Sequence, residues 1–131
     1  MSRVMALDYG AARCGVAVSD PSGTLATPLP VVERPGTKKG LARIAELVAD
    51  REVGRVVVGL PLTLAGDEGA QAAETRAFAE RLERRVNVPV DLYDERLTTR
   101  QAERTGGSAD EDSRAAAHLL EAFLQTHRTT A

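Results

Sequence analysis

The sequence predicts an α/β sandwich, in which a mixed β-sheet carries helices on its faces. Three strand-like segments come first, and two later apolar runs alternate with amphipathic helical segments. With 131 residues, of which 43% are hydrophobic and 27% charged, the chain is expected to form a single domain over residues 1–131. A domain of this length buries roughly two thirds of the surface of its unfolded chain.

The first third of the chain predicts a three-stranded antiparallel meander. Strands are expected over residues 4–8, 14–19 and 24–29. Residues 9–12 read as the first turn, and Asp20 begins a second segment with the composition of a turn. Pro28 and Pro30 are expected to interrupt the third strand, because proline has no N–H to donate to a neighbouring strand.

The rest of the chain predicts helices that alternate with two buried strands. Thr37 can cap a helix over residues 38–51. The β-branched run at residues 55–59 is too apolar for a surface strand, which indicates a central place in the sheet. Residues 98–101 match a capping box that begins a short helix, ended by Gly106 and Gly107. The remaining elements are a glycine-rich loop over 59–69, a helix over 70–86, a strand over 88–93 and a helix over 112–126.

Composition excludes some classes of protein and limits the compartment. A net charge of −2 gives no electrostatic argument for a nucleic-acid partner, because proteins that bind nucleic acid usually carry a basic face. No apolar run approaches the ~20 residues that cross a bilayer, and no signal segment precedes Val4. We therefore expect a cytoplasmic protein without a membrane partner. The single Cys14 fits a reducing compartment and is expected to be a small buried residue.

Three acidic residues are the candidates for chemistry. Asp8 ends an apolar strand, where an unpartnered carboxylate is costly, Glu95 follows the fifth strand, and Asp112 lies in the first turn of the last helix. The carboxyl ends of parallel strands meet at one edge, so these groups are expected to converge there without matching bases. A divalent cation, most naturally Mg²⁺, is the usual way to hold such groups together. A site of this kind suits metal-assisted hydrolysis of phosphodiesters.

Each acidic residue also has a structural interpretation. Asp8 could accept hydrogen bonds from the turn that follows it, and Glu95 could pair with a neighbouring arginine such as Arg96. Negative charge around Asp112 favours the beginning of a helix in any case. The loop over 59–69 lacks the Lys-Ser/Thr ending of a phosphate-binding P-loop. The residues by themselves leave catalysis and structural support open as alternatives.

Four blocks of the sequence resemble a known family, the YqgF-like proteins. In the order and spacing of that family the chain has LDYGAARCGVAVSD, VVVGLPLTLAGDEG, LYDERLTT and DSRAAAHLLEAFL. These proteins are described as pre-16S rRNA nucleases and as relatives of Holliday-junction resolvases. The resemblance covers nearly the whole chain. It implies a ribonuclease H-like fold, with a five-stranded mixed sheet flanked by helices.

The resemblance also implies a metal-dependent nuclease site with Mg²⁺ or Mn²⁺. By motif position, the catalytic and metal-binding residues would be Asp8, Glu95 and Asp112. The residues that would support the site or bind the substrate strand are Arg13, Asp20, Arg96, Thr98 and Thr99. One departure is the connection over residues 105–111, which is usually basic in the family and here contains glycine and acid. A phosphate-binding role for that loop is correspondingly weakened.

The leading expectation is a nuclease that processes the 5′ end of pre-16S rRNA during ribosome biogenesis. One alternative is a DNA endonuclease similar to Holliday-junction resolvases, which needs a homodimer because two symmetric cuts require two related sites. A non-catalytic RNA-binding module of ribosome assembly is another, and the negative net charge favours it. Actin-like ATPases and sugar kinases begin with a similar hairpin, but they clamp nucleotide between two such domains. The expected partner is a nucleic acid, bound by a monomer or homodimer.

Overall fold

Five strands and three helices make up the described part of the chain. The computed structural model describes residues 3–62, 65–95 and 109–127, and in the last of these ranges the side chains of 111–126. The strands are β1 (Arg3–Asp8), β2 (Arg13–Ser19), β3 (Ala26–Glu33), β4 (Val53–Leu60) and β5 (Val90–Asp94). The helices are α1 (Lys38–Asp50), α2 (Ala70–Glu83) and α3 (Ala109–His127).

The strands form one mixed sheet in the order β3-β2-β1-β4-β5. Strand β2 is antiparallel to both of its neighbours, whereas β1, β4 and β5 run parallel to one another. In this register Leu7 lies beside Val58, and Leu60 lies beside Asp94. The parallel strands therefore end at the same edge of the sheet, and the predicted five-stranded α/β architecture is confirmed.

Strand β3 corrects one expectation from the sequence. It continues through Pro28 and Pro30 to Glu33, so the predicted interruption is wrong. Pro28 lies opposite Ala17 in the pairing with β2. Proline is tolerated here because β3 is an edge strand, where one side of the backbone has no partner strand to bond.

The helices begin and end close to the predicted residues. The predicted cap is confirmed, since the hydroxyl oxygen of Thr37 accepts a hydrogen bond from the Gly40 amide at 3.0 Å. Helix α2 ends three residues earlier than predicted, where the Arg85 amide bonds the Leu82 carbonyl in a tighter turn. Helix α3 begins at Ala109, three residues before the predicted start. The predicted short helix after residue 98 lies outside the described residues.

Two layers of helix cover the two faces of the sheet. Helices α1 and α2 pack on one face, against large apolar side chains such as Met5, Leu7 and Val16. Helix α3 packs on the other face, where the sheet offers smaller residues such as Ala6 and Ala17. Among the helices in the described ranges, none has the length and apolar character needed to cross a bilayer.

Candidate active site

A cavity of about 340 Å³ opens at the edge where the parallel strands end. All three acidic residues singled out from the sequence line it: Asp8, Glu95 and Asp112. The rest of its lining consists of Tyr9, Gly10, Arg13, Pro61 and Gln71. The fold therefore brings together side chains from the beginning, the middle and the end of the chain.

Asp8 reaches the cavity from the central strand of the sheet. It is the last residue of β1 and is half-buried. Side chains alternate between the faces of a strand, and Ala6, two residues earlier, packs against α3. The Asp8 side chain consequently belongs to the α3 face, and in the pairing with β2 it lies opposite Gly15.

Asp112 reaches the cavity because α3 lies unusually close to β2. A Cβ atom added at Gly15 would stand 2.0 Å from the backbone oxygen of Asp112, a separation that atoms never adopt. Only glycine at position 15 permits this approach. The next residue of the helix, Ser113, is buried and donates a hydrogen bond to the carbonyl oxygen of Leu29 on β3. These two contacts fix the first turn of α3 over the sheet.

Glu95 depends on a second missing side chain. It follows β5 directly, and a Cβ atom at Gly59 of β4 would lie 2.8 Å from its Oε2 atom. The same added atom would lie 3.0 Å from the Cδ2 atom of Leu119 on α3. The side chain of Glu95 therefore turns back across β4 on the α3 side of the sheet, in space that Gly59 leaves open.

Arg13 supplies a positive charge inside this acidic cavity. Its Nε atom donates a hydrogen bond to Oδ2 of Asp112 at 2.8 Å. Both side chains are about one-third exposed, at 33% and 29%. The expectation that the acidic groups have no matching base is therefore wrong. The first residue of β2 provides one, and it is bonded to the acid that α3 contributes.

The donor chemistry of the cavity fits a hard divalent cation. Its acidic ligands are carboxylates alone, and Mg²⁺ and Mn²⁺ prefer oxygen. Cys14 is fully buried in the core beneath α1 and α2 and does not line the cavity, and burial and then the Asp8 carboxylate raise the pKa of its thiol well above the ordinary value. Within the described ranges, no three His, Cys, Asp or Glu side chains stand close enough to hold a metal ion together. Asp112 is held by Arg13 in this arrangement, so the three acids surround the cavity without closing on one point.

Tyr9 and Gln71 are wall residues that sequence reasoning missed. The Tyr9 ring stacks on Phe78 of α2, with centroids 4.5 Å apart and an angle of 27° between the rings. Burial raises the pKa of the Tyr9 phenol, and the Glu74 carboxylate raises it further. The position of Tyr9 directly after Asp8 at a strand end was an available signal. Gln71 gave no such signal, because a polar residue in the first turn of a helix is common and does not indicate a site.

Asp20 lies at the other end of the sheet from Asp8. It follows Ser19, whose hydroxyl accepts a hydrogen bond from the amide of Val4 at the start of β1. The hydroxyl of Ser22 and the backbone amides of Thr24 and Leu25 donate hydrogen bonds to the Asp20 carboxylate. These bonds lower its pKa to about 2. Asp20 thus organises the β2–β3 turn and does not touch the cavity.

Three further residues matched by motif fall outside the described ranges. They are Arg96, Thr98 and Thr99. Their contribution to substrate binding stays a prediction.

Comparison with known proteins identifies the family. The sequence model of the family described as "RuvX: Holliday junction resolvase" matches residues 2–126. The chain belongs to the RuvX family. A relative from Nocardioides sp. (strain ATCC BAA-499 / JS614), named "Putative pre-16S rRNA nuclease", is 50% identical over 95% of this chain and 88% of its own. One of the same name from Anaeromyxobacter sp. (strain Fw109-5) is 46% identical over 93% and 96%. The resemblance to YqgF-like nucleases is confirmed, and this RuvX-family chain is a hydrolase of phosphodiester bonds.

Solved structures support the fold predicted for this RuvX-family chain. The structure described as "T. thermophilus RuvC in complex with Holliday junction substrate" superimposes with a TM-score of 0.63 at 19% identity, covering 100% of this chain and 98% of that one. The structure described as "Thermus thermophilus RuvC structure" gives 0.59 at 20%, covering 97% of each. At such identities the likeness establishes the fold alone. The ribonuclease H-like prediction is therefore confirmed.

Proposed function

We propose that this chain is a divalent-metal-dependent nuclease that processes the 5′ end of pre-16S rRNA during ribosome biogenesis. The observation that carries the proposal is that Asp8, Glu95 and Asp112 all line the same cavity. The names of the relatives supply the substrate. A substrate of this kind would place the protein in the cytoplasm, where one domain spanning residues 1–131 would act as a monomer or homodimer.

The three acids would hold Mg²⁺ or Mn²⁺ through their carboxylate oxygens. A bound divalent cation of this type lowers the pKa of water and neutralises charge on a leaving oxygen. Asp8 ends the central strand, which is paired with β2 on one side and with β4 on the other. Glu95 and Asp112 approach from β5 and α3, and the two glycines beneath them set how closely they can come.

Besides its bond to Asp112, Arg13 would contact a phosphate of the substrate. A cavity lined by three carboxylates repels a phosphate, and a guanidinium is suited to bonding two phosphate oxygens at once. Release of Asp112 would let the Arg13 guanidinium turn toward a strand that enters the cavity. Arg96, Thr98 and Thr99 complete the proposed set of substrate contacts, on the strength of their motif positions.

A side-by-side cleavage assay tests the proposal. The purified full-length chain is incubated with a precursor 16S rRNA fragment and with a four-way DNA junction, in Mg²⁺, in Mn²⁺ and in excess chelator. We expect the precursor to be cut, the chelator to stop cleavage and added Mg²⁺ to restore it. Cleavage that survives chelation, or no cleavage with either metal, would contradict the proposal.

Resolution of DNA junctions is the second candidate, favoured by the description of the family. Paired symmetric cuts in the junction, made by a dimer at working concentration, would support it over the ribosomal substrate. Binding of the precursor without cleavage in any metal would instead support the non-catalytic assembly module.

A further inference from the structure

A second, larger cleft lies beside the candidate active site. Its volume is about 820 Å³, and it runs between the end of β3 and the exposed face of α1. Three cationic side chains line it: Arg34, Lys39 and Arg43. Two glutamates, Glu33 and Glu46, line it as well, and Glu46 is bonded to Arg43 at 2.7 Å.

Cations without an ion pair to a described residue lie in this cleft and next to it: Arg34 and Lys39 line it, and Lys38 precedes Lys39 at the beginning of α1. Arg34, Lys38 and Lys39 are exposed, and none of them forms an ion pair with any residue that the structure describes. The only two lysines of the chain are thus adjacent at the beginning of α1. The positive end of the helix dipole makes this an unfavourable place for a cation, and the net charge of the chain is −2. With Lys38, four cations stand here against the two glutamates of the lining, so the cleft carries a local excess of positive charge in a chain that is negative as a whole.

The cleft adjoins the carboxylate cavity. The amide of Arg34 donates a hydrogen bond to the carbonyl of Ala12 at 2.9 Å, and Glu33 lies opposite Arg13 in the register of β2 and β3. A Cβ atom at Gly36 would lie 3.4 Å from Oη of Tyr9, which is a wall residue of the cavity. The cleft and the cavity consequently share the β1–β2 turn as a common border.

We propose that this basic cleft, lined by Arg34, Lys39 and Arg43 and flanked by Lys38, binds the phosphodiester backbone of a single strand where it continues beyond the active-site cavity. The proposal rests on the nuclease function proposed above. Unpaired cations along a groove supply phosphate contacts, which position a strand without reading its sequence. The described lining contains no aromatic side chain, so base stacking contributes nothing to this contact.

Two triple variants test the assignment. The cleft variant is Arg34→Gln/Lys38→Gln/Lys39→Gln. The control variant makes the same change of net charge at three other exposed arginines, beyond the ends of α1 and α2 and at the opposite end of the sheet: Arg51→Gln/Arg84→Gln/Arg85→Gln. Circular dichroism and thermal unfolding establish that both variants fold.

Binding is measured by fluorescence anisotropy with labelled RNA and DNA single strands in chelator. Strands of about 4 and about 16 nucleotides span the usual range of single-strand sites. We expect the cleft variant to lose about tenfold or more in affinity for the longer strands. The slope of log K against log salt should fall by about 2, since each of three lost phosphate contacts contributes about 0.7. The control variant and the short strands should show no such change.

An unchanged affinity of the cleft variant for the longer strands would overturn the proposal. So would an equal loss in the control variant, or no binding of any strand by the wild type. These failures are separable from failure of the nuclease function. If the wild type cuts its substrate but the cleft variant binds normally, only the cleft assignment falls. If no metal supports cleavage but long strands still need the cleft, only the proposed nuclease function falls.

Discussion

The two faces of the sheet differ in the size of the residues that they present, and Leu7 and Asp8 show the difference within one strand. Leu7 is fully buried on the face of α1 and α2, among large apolar side chains that include Ile44 and Phe78. Asp8 belongs to the opposite face, where Gly15 and other small residues let α3 come close. The α1–α2 face buries large side chains that stabilise the fold. The α3 face lets a helix come close enough to place the Asp112 carboxylate beside the end of β1.

This difference implies that stability and chemistry are separable by face. On the α1–α2 face, contact between helix and sheet is made by large interdigitating side chains, so a change there chiefly alters core packing. The α3 face has no such latitude, because backbone meets backbone at Gly15. Changes on the first face should alter the free energy of unfolding, and changes on the second should alter cleavage.

The largest expected effect is on catalysis, from Asp8→Asn. The amide keeps the shape of the side chain but removes the charge that would hold a cation, so cleavage should fall by about 10³-fold. The free energy of unfolding should change by less than about 1 kcal/mol. Asp50→Asn, an exposed acid at the far end of α1, is the matched control and should leave cleavage unaltered. Steady-state cleavage and urea unfolding check both quantities, and normal turnover by Asp8→Asn would refute the assigned role.

Next is Ile44→Ala on the α1–α2 face. Ile44 is fully buried, so the cavity left behind should lower the free energy of unfolding by about 2–5 kcal/mol. Cleavage per folded molecule should stay within a few-fold of wild type. The control is Leu25→Ala, because Leu25 is 65% exposed and its loss should cost less than about 0.5 kcal/mol. If Ile44→Ala lost turnover under conditions in which the variant is fully folded, the two faces would not divide stability from cleavage.

Gly15→Ala should have an effect nearly as large as that of Ile44→Ala, but chiefly on the rate of cleavage. The added methyl group forces the first turn of α3 away from β2, and displacement of Asp112 by about 1 Å can cost about 10²-fold in rate. Overpacking should also lower stability by about 1–3 kcal/mol. Gly69→Ala makes the same chemical change where the new atom meets open space. Equal rates for the two alanine variants would show that α3 need not approach so closely.

Gly59→Ala should have a milder effect, because its new atom meets the side chains of Glu95 and Leu119 rather than backbone. The Glu95 carboxylate and the Leu119 side chain can each shift by a few tenths of an ångström. We expect cleavage to fall by about tenfold, with a loss of stability of about 1 kcal/mol at most. Cleavage rates of Gly59→Ala and Gly15→Ala are measured side by side. A larger loss in Gly59→Ala than in Gly15→Ala would contradict the contacts on which this ranking depends.

The smallest expected effect comes from Arg13→Gln, which should strengthen metal binding but slow cleavage. Freeing Asp112 from an ion pair worth about 0–1 kcal/mol should tighten Mn²⁺ binding by up to about fivefold. Cleavage should nevertheless fall, since the substrate phosphate loses its guanidinium. Calorimetry and kinetics measure the two quantities. Arg55→Gln, which removes the ion pair of Arg55 with Asp91 elsewhere on the sheet, should change neither. Weaker Mn²⁺ binding in Arg13→Gln would contradict competition for Asp112.

Much of the fold was predictable because the order of elements along the chain and the alternation of apolar residues within them can be read locally from the sequence. The positions of Asp8 and Glu95 at one edge follow from the rule that parallel strands end together. The run of β3 through Pro28 and Pro30 could not be predicted, since it depends on β3 being an edge strand, which is a property of the whole sheet.

The assembly of the site was predictable in its acids but not in its contacts. Arg13 and Asp112 are 99 residues apart in the chain, and no local pattern marks them as partners. Gly15 and Gly59 are visible in the sequence, yet what each makes room for is known only when α3 and Glu95 are in place. Physical reasoning from the sequence picked out the three acids but left a structural role open for each, and the motif resemblance assigned them to catalysis.

The most direct test of the central claim is anomalous diffraction from crystals of the full-length protein soaked in Mn²⁺. We predict one or two anomalous peaks within bonding distance of carboxylate oxygens from Asp8, Glu95 and Asp112, with Asp112 released from Arg13. Manganese bound only elsewhere, with the Arg13–Asp112 pair intact and the cavity without an ion, would contradict it.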